Sequence, residues 1–233
     1  GKSTLLGLLA KALRPTSGSS TVWGPVAYLP EGLALDAHLT VRAVLSMVRM
    51  MPGWEPAVAD PLLQAFALSP RRRVQHLSQG QRVRLGLVVT LGRRVRTYLL
   101  DDPFLGLDPM AQVIAERAIA HRAAEATVLM ASQHAPASER LCDHLLFLRA
   151  GALVWCAPTE SWRTRFRRVR VRGRPEALAV LDLPILHSEQ RGDLLDVLLD
   201  DPAGLAERRL RIAGARVEPL PLPLDELLMM VAA

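Results

Sequence analysis

Apolar and polar positions follow two different periods along this chain. Near the start, Leu5, Leu6, Leu8, Leu9 and Leu13 recur at helical spacing. They predict a helix over residues 3–13, closed by Arg14, Pro15 and a Thr16-Ser17-Gly18 turn. Short strands are expected at 20–22 and 26–29, parted by Trp23, Gly24 and Pro25. Thr40 is a candidate N-cap for a helix reaching Met51, where Pro52 and Gly53 end it, and another helix is expected over 57–67. The stretch Leu77-Ser78-Gln79-Gly80-Gln81 opens a helix that runs to Arg94. Tyr98-Leu99-Leu100 is an unbroken apolar run ending in Asp101 and Asp102, the pattern of a strand buried in a parallel sheet. A helix over 110–124, a buried strand over 127–131, a helical turn over 136–141 and strands at 144–148 and 153–156 follow. Strands alternating with helices define an α/β class with a mostly parallel sheet. Residues 34–95 contain no good strand and are expected to form a helical insert.

The pattern changes near Phe166. Strands are expected at 169–171, 184–187, 194–199 and 210–217, around helices at 176–181 and 202–209. A Pro219-Leu220-Pro221-Leu222-Pro223 tether leads to a last helix over 225–231. These limits give an α/β domain over 1–165 and an α+β appendage over 166–233.

Composition adds bounds. The 233 residues suffice for one sizeable core and a small second unit. Cys142 and Cys156 cannot build a disulfide framework, so a reducing compartment is expected. No apolar run approaches the about 18 residues that span a bilayer, and no secretory signal is evident. Net charge is +6, much of it between Trp162 and Arg174. A basic patch can bind nucleic acid or an anionic membrane face, but Arg168, Arg170 and Arg172 alternate with Val169 and Val171, as in a strand with one wet face. Trp162 and Phe166 are the sole aromatic residues near this strip, which disfavours a nucleic-acid platform.

Three fragments carry chemistry. Gly1-Lys2-Ser3-Thr4 opens a helix whose amino end offers free amides and a positive dipole to phosphate; Lys2 adds a charge and Ser3 a hydroxyl for Mg²⁺. Asp101 ends a buried strand at the carboxyl edge of the sheet, where such folds bind ligands and a carboxylate can hold Mg²⁺. Ser78 can cap its helix, and Gly80 lets backbone approach a ligand. Taken singly, each also fits a plain turn or capped helix.

Their order is specific. GKST, YLPEG, LSQGQ, LLDDPFLGLDP and VLMASQH follow one another with plausible gaps. In this the chain resembles the ATP-binding subunit of ABC transporters, over residues 1–166. Gly1, Lys2, Ser3 and Thr4 look like the end of Walker A. Leu77, Ser78, Gln79, Gly80 and Gln81 look like the signature, with Gln79 where Gly is commonest, Tyr98–Asp101 like Walker B, Gly106-Leu107-Asp108 like the D-loop and His134 like the switch histidine. The resemblance implies a P-loop NTPase-like sheet with an inserted helical subdomain. It also implies ATP and Mg²⁺, and a head-to-tail dimer, homomeric or heteromeric, that sandwiches two ATP molecules. Lys2 would neutralise the β/γ-phosphates, Ser3 and Asp101 would hold Mg²⁺, Ser78 and Gly80 would meet the partner's ATP, and His134 would sense its γ-phosphate. A transmembrane permease would be the other partner, with the chain peripheral on the cytoplasmic face of the cell membrane.

Three departures stand out. The front of Walker A does not precede Gly1 and no Met starts the chain, so truncation within Walker A is expected, with weak or no ATP binding by this fragment alone. Asp102 stands where the family usually has a catalytic Glu, one methylene longer, which predicts slow hydrolysis. Glu31 stands at the Q-loop glutamine and can still reach Mg²⁺ or the attacking water. The leading expectation is an ATPase that energises an exporter, since PLPLDELLMMV resembles the tail of bacterial exporter ATPases. The alternative is a degenerate, non-hydrolysing cassette that serves as a partner-binding subunit.

Overall fold

The structure is a computed structural model and describes residues 1–32, 35–133, 135–172 and 181–232. Two compact units divide the chain, Gly1–Ala137 and Ser138–Ala233.

The first unit is built on a three-stranded parallel sheet in the order β1-β2-β3, with β1 Val26–Leu29, β2 Thr97–Asp101 and β3 Thr127–Ala131. β2 lies in the middle, and Tyr98, Leu99, Leu100 and Asp101 are all buried. β1 and β3 match the spans expected from the sequence. β3 is not the buried strand expected: only Ala131 is buried, because β2 alone flanks it in this sheet. Residues 20–22 do not form the expected strand and join no sheet among the described residues.

Helix α1, Lys2–Leu9, packs Leu6 onto Leu99 and Ala131. Leu9 lies by Thr97 and Thr127, where β2 and β3 begin. α1 therefore runs antiparallel to the strands, and its amino end points to their carboxyl edge, where Asp101 and Asp102 sit. Each buried leucine contributes roughly 1.5–3 kcal/mol to holding this orientation.

Between β1 and β2 come α2 Val41–Val48, α3 Pro56–Ala65, a 3₁₀ turn Val74–His76 and α4 Gln79–Leu91. Thr40 caps α2 by accepting from Ala43 N at 3.2 Å. Helix α5, Pro109–Ala123, returns the chain to β3. Buried Arg122 joins these helices: it donates to Leu91 O at the end of α4 at 2.8 and 2.6 Å, pairs with Glu55 at 2.7 Å and lies over the Tyr98 ring. No sequence signal marked Arg122, because its partners Tyr98, Leu91 and Glu55 are all distant in the sequence.

The division between the units falls inside α6, Ala135–Leu141. The second unit has a hairpin of β4 His144–Arg149 and β5 Ala152–Pro158, a short α7 Ser161–Arg165, and an antiparallel sheet ordered β7-β8-β6-β9. Its strands are β6 Phe166–Arg172, β7 Ile185–Arg191, β8 Leu194–Asp200 and β9 Val217–Leu220. Helix α8, Leu205–Ile212, covers one face, where Ala206 and Leu210 meet Val169, Val171, Leu195, Val197 and Leu199. The strand expected over 210–217 is thus a helix end followed by a later strand. Leu210 belongs under the sheet, and the pairing of β9 with β6 starts only at Val217. The last helix is α9 Leu224–Ala232. The helix expected over 176–181 lies, apart from Leu181, outside the described residues.

Val169 and Val171 are buried and Arg168, Arg170 and Arg172 lie on the opposite, partly exposed face, as the alternation predicts, but that face is also paired. Arg170 donates two hydrogen bonds to buried Asp196, Arg165 two to Asp200, and Arg168 pairs with both Asp196 and Glu226. Asp196 is held below the usual carboxylate range, chiefly by the hydrogen bonds from Arg170.

Candidate nucleotide site

Glu31, Gln79, Asp101 and Asp102 line one cleft of about 390 Å³ in the first unit, together with Arg82. Each arrives there for a local reason. Glu31 stands two residues past the end of β1, Asp101 ends the buried run of β2 and Asp102 follows it. Gln79 is the first residue of α4, set by the Ser78 cap.

Asp101 is 3% exposed, and its Oδ1 is buried with no hydrogen-bond partner among the described residues. A buried carboxylate oxygen left unpaired is costly unless something else satisfies it. Its charge is felt by Tyr28, whose hydroxyl is pushed up first by burial and then by Asp101. An anionic oxygen donor in this state suits a hard divalent cation such as Mg²⁺.

Asp102 is held differently. Its backbone is in the left-handed region at φ +44°, its N–H donates to Ala131 O at 2.8 Å, and its Oδ1 accepts from Gln133 N at 3.1 Å. The carboxylate thus ties the end of β2 to the segment after β3. His134 lies outside the described residues.

The signature segment is organised by hydrogen bonds within the chain. Gln81 N donates to Ser78 Oγ at 3.3 Å, and Ser78 N donates to Gln81 Oε1 at 3.1 Å, a complete capping box. Gly80 is buried, and a methyl group there would overlap the carbonyl oxygen of Gly106, itself at φ +70°. Gly80 is thus explained by contact with the Gly106-Leu107-Asp108 turn of the same chain. Asp108 caps α5 by accepting from Ala111 N at 2.9 Å and is ion-paired with Arg84. The Ala111 hydrogen bond and then Arg84 hold its carboxyl below the usual range. Arg84 also donates to Phe66 O at 3.3 Å.

Gly1 is the N-cap of α1, and Lys2, Ser3 and Thr4 are exposed on its first turn. They do not line the cleft, but the direction of α1 puts them at the same sheet edge as Asp101. Arg82 was not singled out from the sequence; an Arg on an exposed helical face carries no local signal of a cleft assembled from Glu31 and Asp101.

The family model described as ABC transporter matches residues 1–105. The thiamine import ATP-binding protein ThiQ of Chelativorans sp. (strain BNC1) is 32% identical over 184 residues, 70% of this chain and 74% of that protein. The cytochrome c biogenesis ATP-binding export protein CcmA of Zymomonas mobilis is 36% identical over 138 residues, covering 58% of this chain and 61% of that one. A solved structure of the ATP-binding subunit of an ABC transporter superposes with a TM-score of 0.54 at 28% identity, over 59% of this chain and 60% of that one.

The chain belongs to the ATP-binding cassette family of ABC transporters, a family that binds ATP, generally with Mg²⁺. Its fold is the α/β, P-loop NTPase type expected from the sequence. Among the described residues no helix is long and apolar enough to cross a membrane.

Proposed function

We propose that the chain is the ATP-binding and hydrolysing subunit of a membrane exporter, working as a nucleotide-driven dimer of such subunits on the inner face of the membrane beside a transmembrane permease. One observation carries this reading: the buried, unpaired Asp101 Oδ1 at the sheet edge to which the amino end of α1 points.

In this reading Ser3 and Asp101 hold Mg²⁺, which supplies positive charge to the phosphates of bound ATP. Lys2 and the first amides of α1, with Thr4 beside them, bind the β/γ-phosphates. Asp102 orients the attacking water, assisted by Glu31 and His134. Its shorter side chain and its hydrogen bond from Gln133 N make turnover slow. Ser78, Gln79, Gly80 and Gln81 present the start of α4 to the nucleotide of the facing subunit, and Asp108 sets the adjoining turn.

Direction is the finer part of the proposal. Relatives of both kinds occur, an import protein and an export protein. The export reading is supported by the small C-terminal unit closed by the leucine-rich α9. ATP-dependent accumulation in inside-out membrane vesicles fits export; accumulation only in right-side-out vesicles contradicts it.

The second reading, a cassette that binds its partner without hydrolysis, is favoured by the engaged Asp102 carboxylate. ATP turnover by the intact protein decides between them. Turnover abolished by Lys2→Ala supports the ATPase, and no turnover above that variant supports the silent cassette.

A further inference from the structure

The second unit holds a cavity of about 550 Å³ beside β6 that shares no residue with the nucleotide cleft. Its origin is local. Leu220 is the last residue of β9 paired with β6, opposite Arg168. Pro221 and Pro223 have no N–H to carry the ladder on, so the chain leaves β6 there and a crevice opens along Phe166 and Arg167.

Part of the lining is apolar, from Phe166, Val169, Leu220 and Leu222. The rest carries donors without acceptors. Trp162 is 3% exposed, and its Nε1 has no hydrogen-bond partner among the described residues. Arg168 Nε is buried without a partner too, although the terminal nitrogens of Arg168 are held by Asp196 and Glu226. Both residues line the cavity. Buried polar groups are costly when unpaired, and both of these atoms can only donate. What is missing at this wall is therefore an acceptor. Arg167 adds an available charge. Its side chain is 40% exposed and reaches Glu207 only at 3.5 Å and Asp201 O at 3.3 Å. Glu207 keeps Arg211 at 2.9 Å when Arg167 turns away, so the exchange leaves no carboxylate unpaired.

The geometry points to a second binding site, for a small acid with an apolar body. The carboxylate accepts from Arg167, Arg168 Nε and Trp162 Nε1, and the hydrocarbon lies against Phe166, Leu220 and Leu222. Residues 221–223, which the β6 ladder does not hold, form the wall that yields to let the carboxylate reach the two buried nitrogens. A cavity of about 550 Å³ with an apolar wall and a few converging polar groups has the dimensions and chemistry of a small-molecule site.

The probe is decanoate, titrated into the intact protein by calorimetry, with decanol and acetate as its two halves. Decanoate should bind once per chain, and decanol and acetate roughly tenfold or more weaker, the scale of one charge-assisted hydrogen bond. Arg167→Gln should weaken decanoate by the same roughly tenfold. Leu222→Glu sets a charge in the apolar wall and should abolish binding. Leu222 and Arg167 are both partly exposed, and unchanged unfolding midpoints would show that the variants keep their fold. No binding of decanoate, or equal binding by the parent and both variants, overturns the site. Decanol binding as tightly as decanoate shows an apolar crevice with no anion subsite and overturns the ligand class.

Discussion

Asp102 accepts a hydrogen bond from the backbone amide of Gln133 at 3.1 Å, so the acid after β2 is tied to the segment that follows β3. A side chain in this state is positioned by its neighbour and is not free to swing toward a substrate. Asp102→Glu adds a methylene and extends the carboxylate beyond that amide. Turnover of the intact protein should rise, by up to about a hundredfold if the shortfall is near 1 Å. Single-turnover hydrolysis measures it, and an unchanged or lower rate counts against the assignment of Asp102 to the attacking water.

Gly80→Ala should destabilise the first unit. The added methyl meets the Gly106 carbonyl, a backbone atom that cannot move aside as a side-chain tip can. Forced overpacking of this kind costs about 1–3 kcal/mol. Denaturant unfolding should show a lower midpoint with an unchanged slope, whereas Gln79→Ala, beside it but exposed, should leave the midpoint within experimental scatter.

Arg122→Ala removes the cation that closes the end of α4 and leaves Glu55 and the Leu91 carbonyl without it. The loss should be about 3 kcal/mol, the lower end for breaking a buried pair, because Glu55 stays partly hydrated. Arg122→Lys should recover little, since one ammonium cannot meet both partners with the Arg geometry. A loss confined to a few tenths, seen in the same unfolding assay, would show that the contact contributes nothing net.

Acid should weaken the second unit through Asp196. Its carboxyl is depressed in the folded chain, mainly by Arg170, relative to about 3.9 when unfolded. The stabilisation is therefore complete above the unfolded value and is lost as pH falls through the folded one. Asp196→Asn should lower Tm by several degrees at neutral pH, and the gap should close as pH drops below about 4. A gap of constant size across that range contradicts the ion-pair account.

Much of the first unit could be read from local chemistry. Thr40 and Ser78 cap helices through bonds to residues three positions on, and the Tyr98-Leu99-Leu100 run reads as the buried parallel strand that it forms. What could not be read depends on partners distant in sequence. Residues 20–22 have strand composition, yet they pair with none of the strands among the described residues. Arg168 looked solvated because Asp196 and Glu226 are far along the chain. Pro219 looked like part of a tether, yet it sits in edge strand β9, where a missing N–H is tolerated. Within the site, the motif residues stood out by type, while the engagement of Asp102 by Gln133 and the place of Arg82 in the cleft exist only in three dimensions.

The most direct measurement of the central claim is Mg²⁺-dependent ATP binding by the intact protein, with and without Asp101→Asn. Asp101 is predicted to hold the metal, so titrating Mg²⁺ at fixed ATP should raise affinity steeply in the unsubstituted protein and hardly at all in the variant. Because Asp101 Oδ1 has no partner to lose, the variant should stay folded, with a Tm at or above that of the parent. Equal Mg²⁺ dependence in both proteins would contradict the account and place the metal elsewhere.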